Sequence, residues 1–206
     1  MKSKLKFLAF GSALIVLLYT LAQLPTHTKV GINFELHEET LPLYMKATNF
    51  LSRHFETKRL ALKIIGDLKS PKDKVQAIYE WTTKNIHPTP KGFTIVDDHP
   101  LHIAIRGYGE PDQMNDLFSL LCTYAGVDAF FYDFKPKAAY SLAFVKLDGA
   151  WRVFDIPKKI QFPNIDTPLS RGMTYKNLLD GFQPLPHHLD RNKKQKPIDR
   201  LILFFF

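Results

Sequence analysis

The chain has 206 residues, 45% of them hydrophobic and 13% aromatic, and its formal net charge is +8. This composition can bury one substantial core, which excludes a largely disordered chain and predicts one domain with appended segments. Lys2, Lys4 and Lys6 carry +3 and residues 191–200 carry +4, so the rest of the chain has a net charge of only +1. A body this close to neutral argues against a nucleic-acid-binding protein.

An uncharged apolar run of eighteen residues, 7–24, follows the N-terminal lysines. As a helix it can just cross a hydrocarbon core of about 30 Å. We therefore expect residues 1–29 to be a single-pass inner-membrane anchor, since the run is longer than most cleaved signals. Lysines held in the cytoplasm would leave the domain facing the periplasm or the cell exterior. Small side chains at Thr20 and Ala22 keep a cleaved signal, and hence a secreted soluble protein, as the alternative.

The next segment, residues 30–66, is predicted to contain a linker and N-terminal helices. Residues 25–39 are expected to be extended, and Thr40 is a candidate cap for the first of two helical segments. A better-marked helix begins at Ser70, with Pro71 at its first position and Asp73 in its first turn. The main domain is predicted to cover residues 67–186.

A glycine-rich turn leads into a second amphipathic helix in the stretch "RGYGEPDQMNDLFSLLCTYAG", residues 106–126. Pro111 stands in the first turn of this helix, where proline is well tolerated. Gly126 is expected to end it in a left-handed conformation. The predicted apolar stripe consists of Met114, Leu117, Phe118, Leu121, Tyr124 and Ala125. We expect this helix to lie at the centre of the domain.

Three strands are predicted after the central helix. "VDAFFYDF" is the first, and "YSLAFVKL" and "AWRVFDIP" flank the dipeptide Asp148-Gly149, which is a strong hairpin signal. A short helix is expected at residues 175–179. The basic tail, residues 187–206, ends in "LILFFF", which we expect to pair as a strand, dock on a partner or rest in the membrane interface.

The order of these elements, with "IYEWTTKNI" in the first marked helix and "WRVFDIP" at the end of the hairpin, resembles the transglutaminase-like core of bacterial proteins. That family belongs to the papain-like cysteine enzymes, and the resemblance covers about residues 67–159. It implies an α+β fold in which a central helix packs on a small antiparallel sheet. It also implies a cysteine, a histidine and an aspartate at the positions of Pro111, Tyr140 and Asp155, so only the aspartate is retained.

The two replaced positions remove the chemistry that the resemblance implies. Proline has no nucleophilic atom, and a tyrosine phenol, with an ordinary pKa near 10, is a poor general base at neutral pH. Cys122 lies about three turns further on, roughly 16 Å along the helix, and cannot replace the missing thiol. We therefore expect no catalytic residues. The candidate binding residues are Gly109, Asp112, Gln113, Tyr140 and Asp155.

Neither a bound metal ion nor a cofactor is predicted. His99 and His102 are three residues apart, and His187 and His188 are followed by Asp190, but zinc sites need three or four convergent ligands. Adjacent histidines in extended chain point apart. Arg106, beside the glycine-rich turn, is expected to be a solvated charge.

The expected function is that of a membrane-anchored, catalytically inactive transglutaminase-like protein that acts as a binding or scaffold subunit of a bacterial envelope complex. Its partner would be a membrane protein or an envelope peptide or glycan. The alternative is an active hydrolase or acyltransferase with a rebuilt site in the same groove, using Asp112 with Tyr140 and Asp155. In the simpler structural alternative, Asp155 only hydrogen-bonds Tyr140.

Overall fold

The computed structural model describes residues 2–134, 140–162 and 174–179. The helices are α1 (Lys2–Ala22), α2 (Leu43–Ile65), α3 (Pro71–Asn85), α4 (Pro100–Arg106), α5 (Pro111–Tyr124) and α6 (Tyr175–Leu179). The strands are β1 (Pro25–Ile32), β2 (Glu35–Pro42), β3 (His87–Pro88), β4 (Val96–Asp97), β5 (Tyr108–Gly109), β6 (Ala129–Phe134), β7 (Tyr140–Leu147), β8 (Ala150–Asp155) and β9 (Ile160–Gln161). The chain thus combines helices with small sheets, as predicted. The predicted tail, residues 187–206, lies outside the described residues.

The N-terminal apolar run forms helix α1, and several of its large side chains are exposed. Phe7, Phe10 and Tyr19 are 82%, 71% and 66% exposed. Within the ranges that the structure describes, no helix meets the length and hydropathy needed to cross a bilayer. The membrane assignment of residues 1–29 stays a prediction.

The expected linker at residues 25–39 is instead part of a β-hairpin. Strands β1 and β2 pair antiparallel from Pro25 with Pro42 to Ile32 with Glu35, and β4 pairs with the other side of β1. The sequence prediction failed because these strands lack a clear alternation of apolar residues and their turn has no glycine. Thr40, the candidate cap, lies within β2.

The two-residue turn of this hairpin, Asn33-Phe34, has positive φ at both positions, 50° and 69°. A hairpin turn of this length favours such backbone angles, but an aromatic residue adopts them only with strain. Asn33 holds the turn through two hydrogen bonds with Ile95: its N–H donates to the Ile95 carbonyl (2.8 Å), and its Oδ1 accepts from the Ile95 N–H (2.9 Å).

Replacing Phe34 by glycine is expected to stabilise the hairpin by about 1 kcal/mol, because glycine adopts positive φ without strain. Amide hydrogen exchange in β1 and β2 should slow by about five-fold, since this local opening free energy sets the exchange rate. Phe34→Ala is the matched control, because alanine removes the ring but retains the strained backbone. Equal exchange rates in the glycine and alanine variants would contradict the explanation.

Helix α2 is one continuous helix of 23 residues, not two segments as expected. Its Ala61 and Ile65 belong to the main hydrophobic cluster, so this part of the chain shares a core with the residues after position 67. Helix α3 begins as predicted: Ser70 is its cap, the Ser70 hydroxyl accepts a hydrogen bond from the Asp73 N–H (3.5 Å), and Pro71 is in the first turn.

Helix α5 is central, as predicted, and contacts α2, α3, α4, β6 and β7. It packs on an antiparallel sheet with the strand order β6-β7-β8-β9. The local signals at both turns are confirmed, since Gly126 has φ +83° and Asp148-Gly149 joins β7 to β8 with positive φ at both residues. Side chains from α3, α5 and β8 meet in the main core, where the Phe118 and Phe154 rings are 5.0 Å apart.

The other face of the sheet is covered by helix α6, which forms where the sequence predicted a short helix. A second cluster there contains the buried residues Leu142, Phe144, Tyr175 and Leu178. Strands β3, β5 and β9 and helix α4 were not predicted, because each strand has only two residues and α4 is capped by His99, an uncommon cap residue. The sheet therefore has a helix layer on each face.

Candidate functional site

A pocket of about 500 Å³ lies at the N-terminal end of helix α5. The β1–β2 hairpin, the 95–97 segment, the first turn of α5 and the ends of β6 and β7 enclose it. Its wall is formed by Gly31, Phe34, Glu35, Leu36, Ile95, Asp97, Glu110, Pro111, Asp112, Gln113, Asp133, Tyr140 and Ser141. Gly31 permits close packing here, because a Cβ atom on it would lie 2.8 Å from the Asp97 Cβ.

Four of the residues singled out in the sequence meet in this pocket: Pro111, Asp112, Gln113 and Tyr140. Gly109 and Asp155 are not among its described wall residues. Gly109 is buried in β5, where an added Cβ would lie 3.1 Å from the Gln113 Oε1 atom. The structure thus gives Gly109 a packing reason to be glycine.

Asp155 lies on the α6 face of the sheet and is only 3% exposed. Its Oδ2 atom accepts a hydrogen bond from the Tyr175 hydroxyl (2.6 Å), and its Oδ1 atom accepts one from the Lys158 N–H (3.2 Å). The sequence analysis named Tyr140 as the phenol that Asp155 binds, and the structure shows a bond from a second phenol, Tyr175 of α6, which was not predicted. Burial and the nearby Asp155 carboxylate raise the pKa of the Tyr175 phenol. This pair therefore fixes α6 against the sheet.

Gln113 and Arg106 fasten the pocket wall through their side chains. The Gln113 amide nitrogen donates to the Val96 carbonyl (2.7 Å), and its oxygen accepts from the Glu110 N–H (3.1 Å). The Arg106 guanidinium donates to Asp98 (2.9 Å) and also to the Val96 carbonyl (2.8 Å). The expectation that Arg106 is a solvated charge was wrong, because hydrogen bonds hold its guanidinium group at the junction between β4 and α5.

The only thiol of the sequence, that of Cys122, is not among the described wall residues of the pocket. Cys122 is fully buried among the core residues of α5, and desolvation raises the pKa of its thiol. A thiol held in its protonated form is a weak nucleophile. The described wall of the pocket contains neither cysteine nor histidine.

The histidines near α4 have structural contacts. The His99 Nδ1 atom accepts a hydrogen bond from the Leu101 N–H (3.1 Å), and burial, followed by the charges of Arg53 and His102, lowers the pKa of His99 to about 4. The His102 Nδ1 atom lies 2.7 Å from Asp98 Oδ2. Among the residues that can be described, no group of three or more histidine, cysteine, aspartate or glutamate side chains is arranged to hold a metal ion. His187, His188 and Asp190 lie outside the described residues.

Five carboxylates line the pocket: Glu35, Asp97, Glu110, Asp112 and Asp133. A sixth, Asp116, is one helical turn after Asp112 on the same side of α5. Desolvation, followed by the charges of Asp97, Asp112 and Asp133, raises the pKa of Asp116 to about 7. The sequence analysis did not predict this cluster, because its members come from four separate elements.

Asn115 and Ser141 are the other functional candidates that the sequence did not reveal. Asn115 is fully buried; its amide nitrogen donates to the Ser141 carbonyl (2.9 Å), and its oxygen accepts from the Ile156 N–H (3.2 Å). Continuing the β7–β8 register by two residues would place Ser141 opposite Ile156. The Asn115 amide therefore bonds to the two backbone groups that would otherwise pair β7 with β8 at this position. It separates the strand ends beside the pocket.

No protein-family model matches the chain, and no curated protein matches it either. Three solved structures are similar. A proposed protease of Parabacteroides distasonis has 18% identity and a TM-score of 0.40, over 48% of this chain and 23% of that protein. A proposed cysteine protease of Cytophaga hutchinsonii has 17% identity and a TM-score of 0.42, over 52% and 40% of the two chains.

The third structure is a TGase with 13% identity and a TM-score of 0.39, over 76% of this chain and 48% of that one. This chain therefore spans less than half the length of each solved protein. TM-scores below 0.5 do not establish a common fold. The transglutaminase-like assignment accordingly rests on the sequence motifs, and what the structure adds is the mixed helix-and-sheet architecture and the pocket at the start of α5.

Proposed function

We propose that the chain is a membrane-anchored, catalytically inactive transglutaminase-like protein that serves as a binding or scaffold subunit of a bacterial envelope complex. Residues 1–29 form its inner-membrane anchor, and its domain faces the periplasm or the cell exterior. The ligand is a membrane-protein segment, or an envelope peptide or glycan, bound in the pocket at the start of α5.

The composition of the pocket wall carries this proposal. Pro111 and Tyr140 stand where the sequence resemblance implies a thiol and an imidazole, and both line the pocket. Cys122, buried in the core, cannot supply the missing thiol. A cleft of this size, with a mainly apolar surface and several polar groups, suits ligand binding, whereas acyl transfer by this family's chemistry needs an activated nucleophile next to a base.

The exposed apolar side chains of α1 support the membrane location. Side chains such as Phe7, Phe10 and Ile15 are more than two-thirds exposed, and a bilayer would cover them. Anchoring also raises the effective concentration of the domain near a partner in the same membrane. The mass of the mature protein, which shows where its N-terminus lies, distinguishes this anchored form from a cleaved, secreted one.

The full-length protein, purified in mild detergent, provides the test of inactivity. We expect no turnover of amide or ester substrates, and we expect native protein to resist iodoacetamide, because Cys122 is buried. Denatured protein should be alkylated at Cys122, which is the positive control. Alkylation of the native protein at the denatured rate, or turnover that Cys122→Ala abolishes, would contradict the proposal.

Partner binding is tested with one variant in the pocket wall and one outside it. A membrane partner should co-purify with the wild-type protein and be lost with Asp112→Lys, which reverses one pocket charge. Glu38→Gln is the matched control, since Glu38 is an exposed carboxylate that pairs with Lys29 on the same hairpin. Equal recovery with all three proteins would place the partner elsewhere and contradict pocket binding.

A second candidate, a hydrolase or acyltransferase with a rebuilt carboxylate site, is favoured by one observation. The pKa of Asp116, raised to about 7, lies in the range that suits a general acid or base at neutral pH. This candidate requires turnover with a pH dependence near 7 that survives Cys122→Ala and disappears in Asp112→Asn or Asp116→Asn. The absence of such turnover across peptide, ester and glycan substrates would eliminate it.

A further inference from the structure

The pocket wall brings together negative charges from four elements. Glu35 of β2, Asp97 of β4, Asp112 of α5 and Asp133 of β6 all line it. Glu35, Asp97 and Asp112 have no ion-pair partner within the described ranges, and no lysine or arginine belongs to the described wall. Carboxylates placed this close repel one another, and a bound cation relieves that repulsion.

Ser141 provides a second and independent indication of a ligand. It lines the pocket, pairs across the sheet with Asp133, and is only 6% exposed. Its Oγ atom has no hydrogen-bond partner in the part of the chain that the structure describes. Buried hydroxyl groups are normally satisfied, so a ligand with several N–H donors would complete the bonding of this group.

The rim of the pocket is aromatic and apolar. Phe34 is 86% exposed at the tip of the β1–β2 hairpin, where Asn33 fixes the strained turn to Ile95. Leu36, also on the wall, is 65% exposed. An exposed ring held in a strained backbone conformation is typical of a ligand contact, and planar cations stack well on aromatic faces.

We propose that the pocket binds a guanidinium group, the side chain of an arginine in an extended peptide segment of the partner. A guanidinium matches these walls better than an ammonium group, because its planar fork presents five N–H donors to several carboxylates and can stack on Phe34. The Ser141 hydroxyl oxygen accepts a hydrogen bond from one of these N–H groups. This inference rests on the proposed binding function and specifies its ligand.

Calorimetric titration of the full-length protein in mild detergent tests the inference. The probes are the Nα-acetylated amides of arginine, lysine and citrulline. Citrulline is the matched control, because it has nearly the shape of arginine without the charge. We expect arginine amide to bind at least ten-fold more tightly than citrulline amide and more tightly than lysine amide. Equal affinity for citrulline, tighter binding of lysine, or no arginine binding would each overturn the inference.

Variants of the protein locate the binding. Asp112→Asn should weaken arginine amide binding by about ten-fold, and Ser141→Ala and Phe34→Ala by about three-fold each. Glu38→Gln, which changes an exposed hairpin carboxylate outside the described pocket wall, should leave it unchanged. Wild-type affinity in the Asp112, Ser141 and Phe34 variants would overturn the assignment to this pocket.

The results separate this inference from the proposed function. If a membrane partner depends on Asp112 but arginine amide does not bind, the guanidinium inference fails and the binding function stands. If arginine amide binds and is also hydrolysed, the proposal of an inactive protein fails and the ligand assignment stands.

Discussion

Replacing Asn115 by leucine is expected to lower the free energy of unfolding by about 3 kcal/mol or more. The substitution leaves the Ser141 carbonyl and the Ile156 N–H unsatisfied where β7 and β8 separate, and both groups are bonded to Asn115 in the native protein. Each unsatisfied buried group costs about 1–3 kcal/mol. Urea unfolding of the full-length protein in mild detergent, followed by tryptophan fluorescence, measures the effect.

Ser119→Ala is the matched control for this prediction. Ser119 is also a buried polar residue of α5, but its hydroxyl donates only to the Asp116 carbonyl of the same helix (2.9 Å). Loss of the Ser119 hydroxyl should lower the free energy of unfolding by only about 0.5 kcal/mol, because it leaves no buried polar group without a hydrogen-bond partner. A similar small effect for Asn115→Leu would show that the separated strand ends do not need the amide.

Replacing Asp116 by asparagine is expected to change how stability depends on pH. Because the pKa of Asp116 is raised to about 7 in the folded protein, the folded state binds more protons than the unfolded state between pH 4 and pH 7. The contribution of the Asp116 carboxyl group to the free energy of unfolding is therefore fully present below about pH 4 and is lost as the pH rises to about 7. Asparagine cannot ionise, so the variant should be more stable than wild type at pH 8, by about 1–2 kcal/mol.

The comparison requires unfolding curves at pH 5, 6, 7 and 8 for both proteins. The gain should shrink toward pH 5, where Asp116 is protonated in the folded wild-type protein. Asp128→Asn is the control, since Asp128 is an exposed carboxylate just after α5. A stability difference for Asp116→Asn that stays constant across this pH range would show that the carboxyl group does not titrate there.

Features with a complete local signal were predictable from the sequence. The cap at Ser70, the turn at Asp148-Gly149 and the helix end at Gly126 depend on neighbouring residues only, and the structure has all three. The same is true of Pro111, which stands in the first turn of α5 as predicted. Local rules therefore predicted the central helix and the hairpin of the sheet on which it packs.

Features that depend on distant residues were missed. The β1–β2 hairpin is fixed by bonds between Asn33 and Ile95, which are 62 positions apart. The bond between Tyr175 and Asp155 joins residues that are 20 positions apart. Periodicity and turn composition contain no information about such contacts, so the opposite wall of the pocket, with Phe34 and Asp97, was not foreseen.

The position of Cys122 affects how copies of the molecule behave toward one another. A lone thiol on a protein surface can cross-link two molecules in an oxidising compartment. In this chain, the sulfur is enclosed by the packed helices and sheet and has no solvent contact. The folded domain can therefore meet oxidants, or crowd beside identical copies, without becoming covalently dimerised.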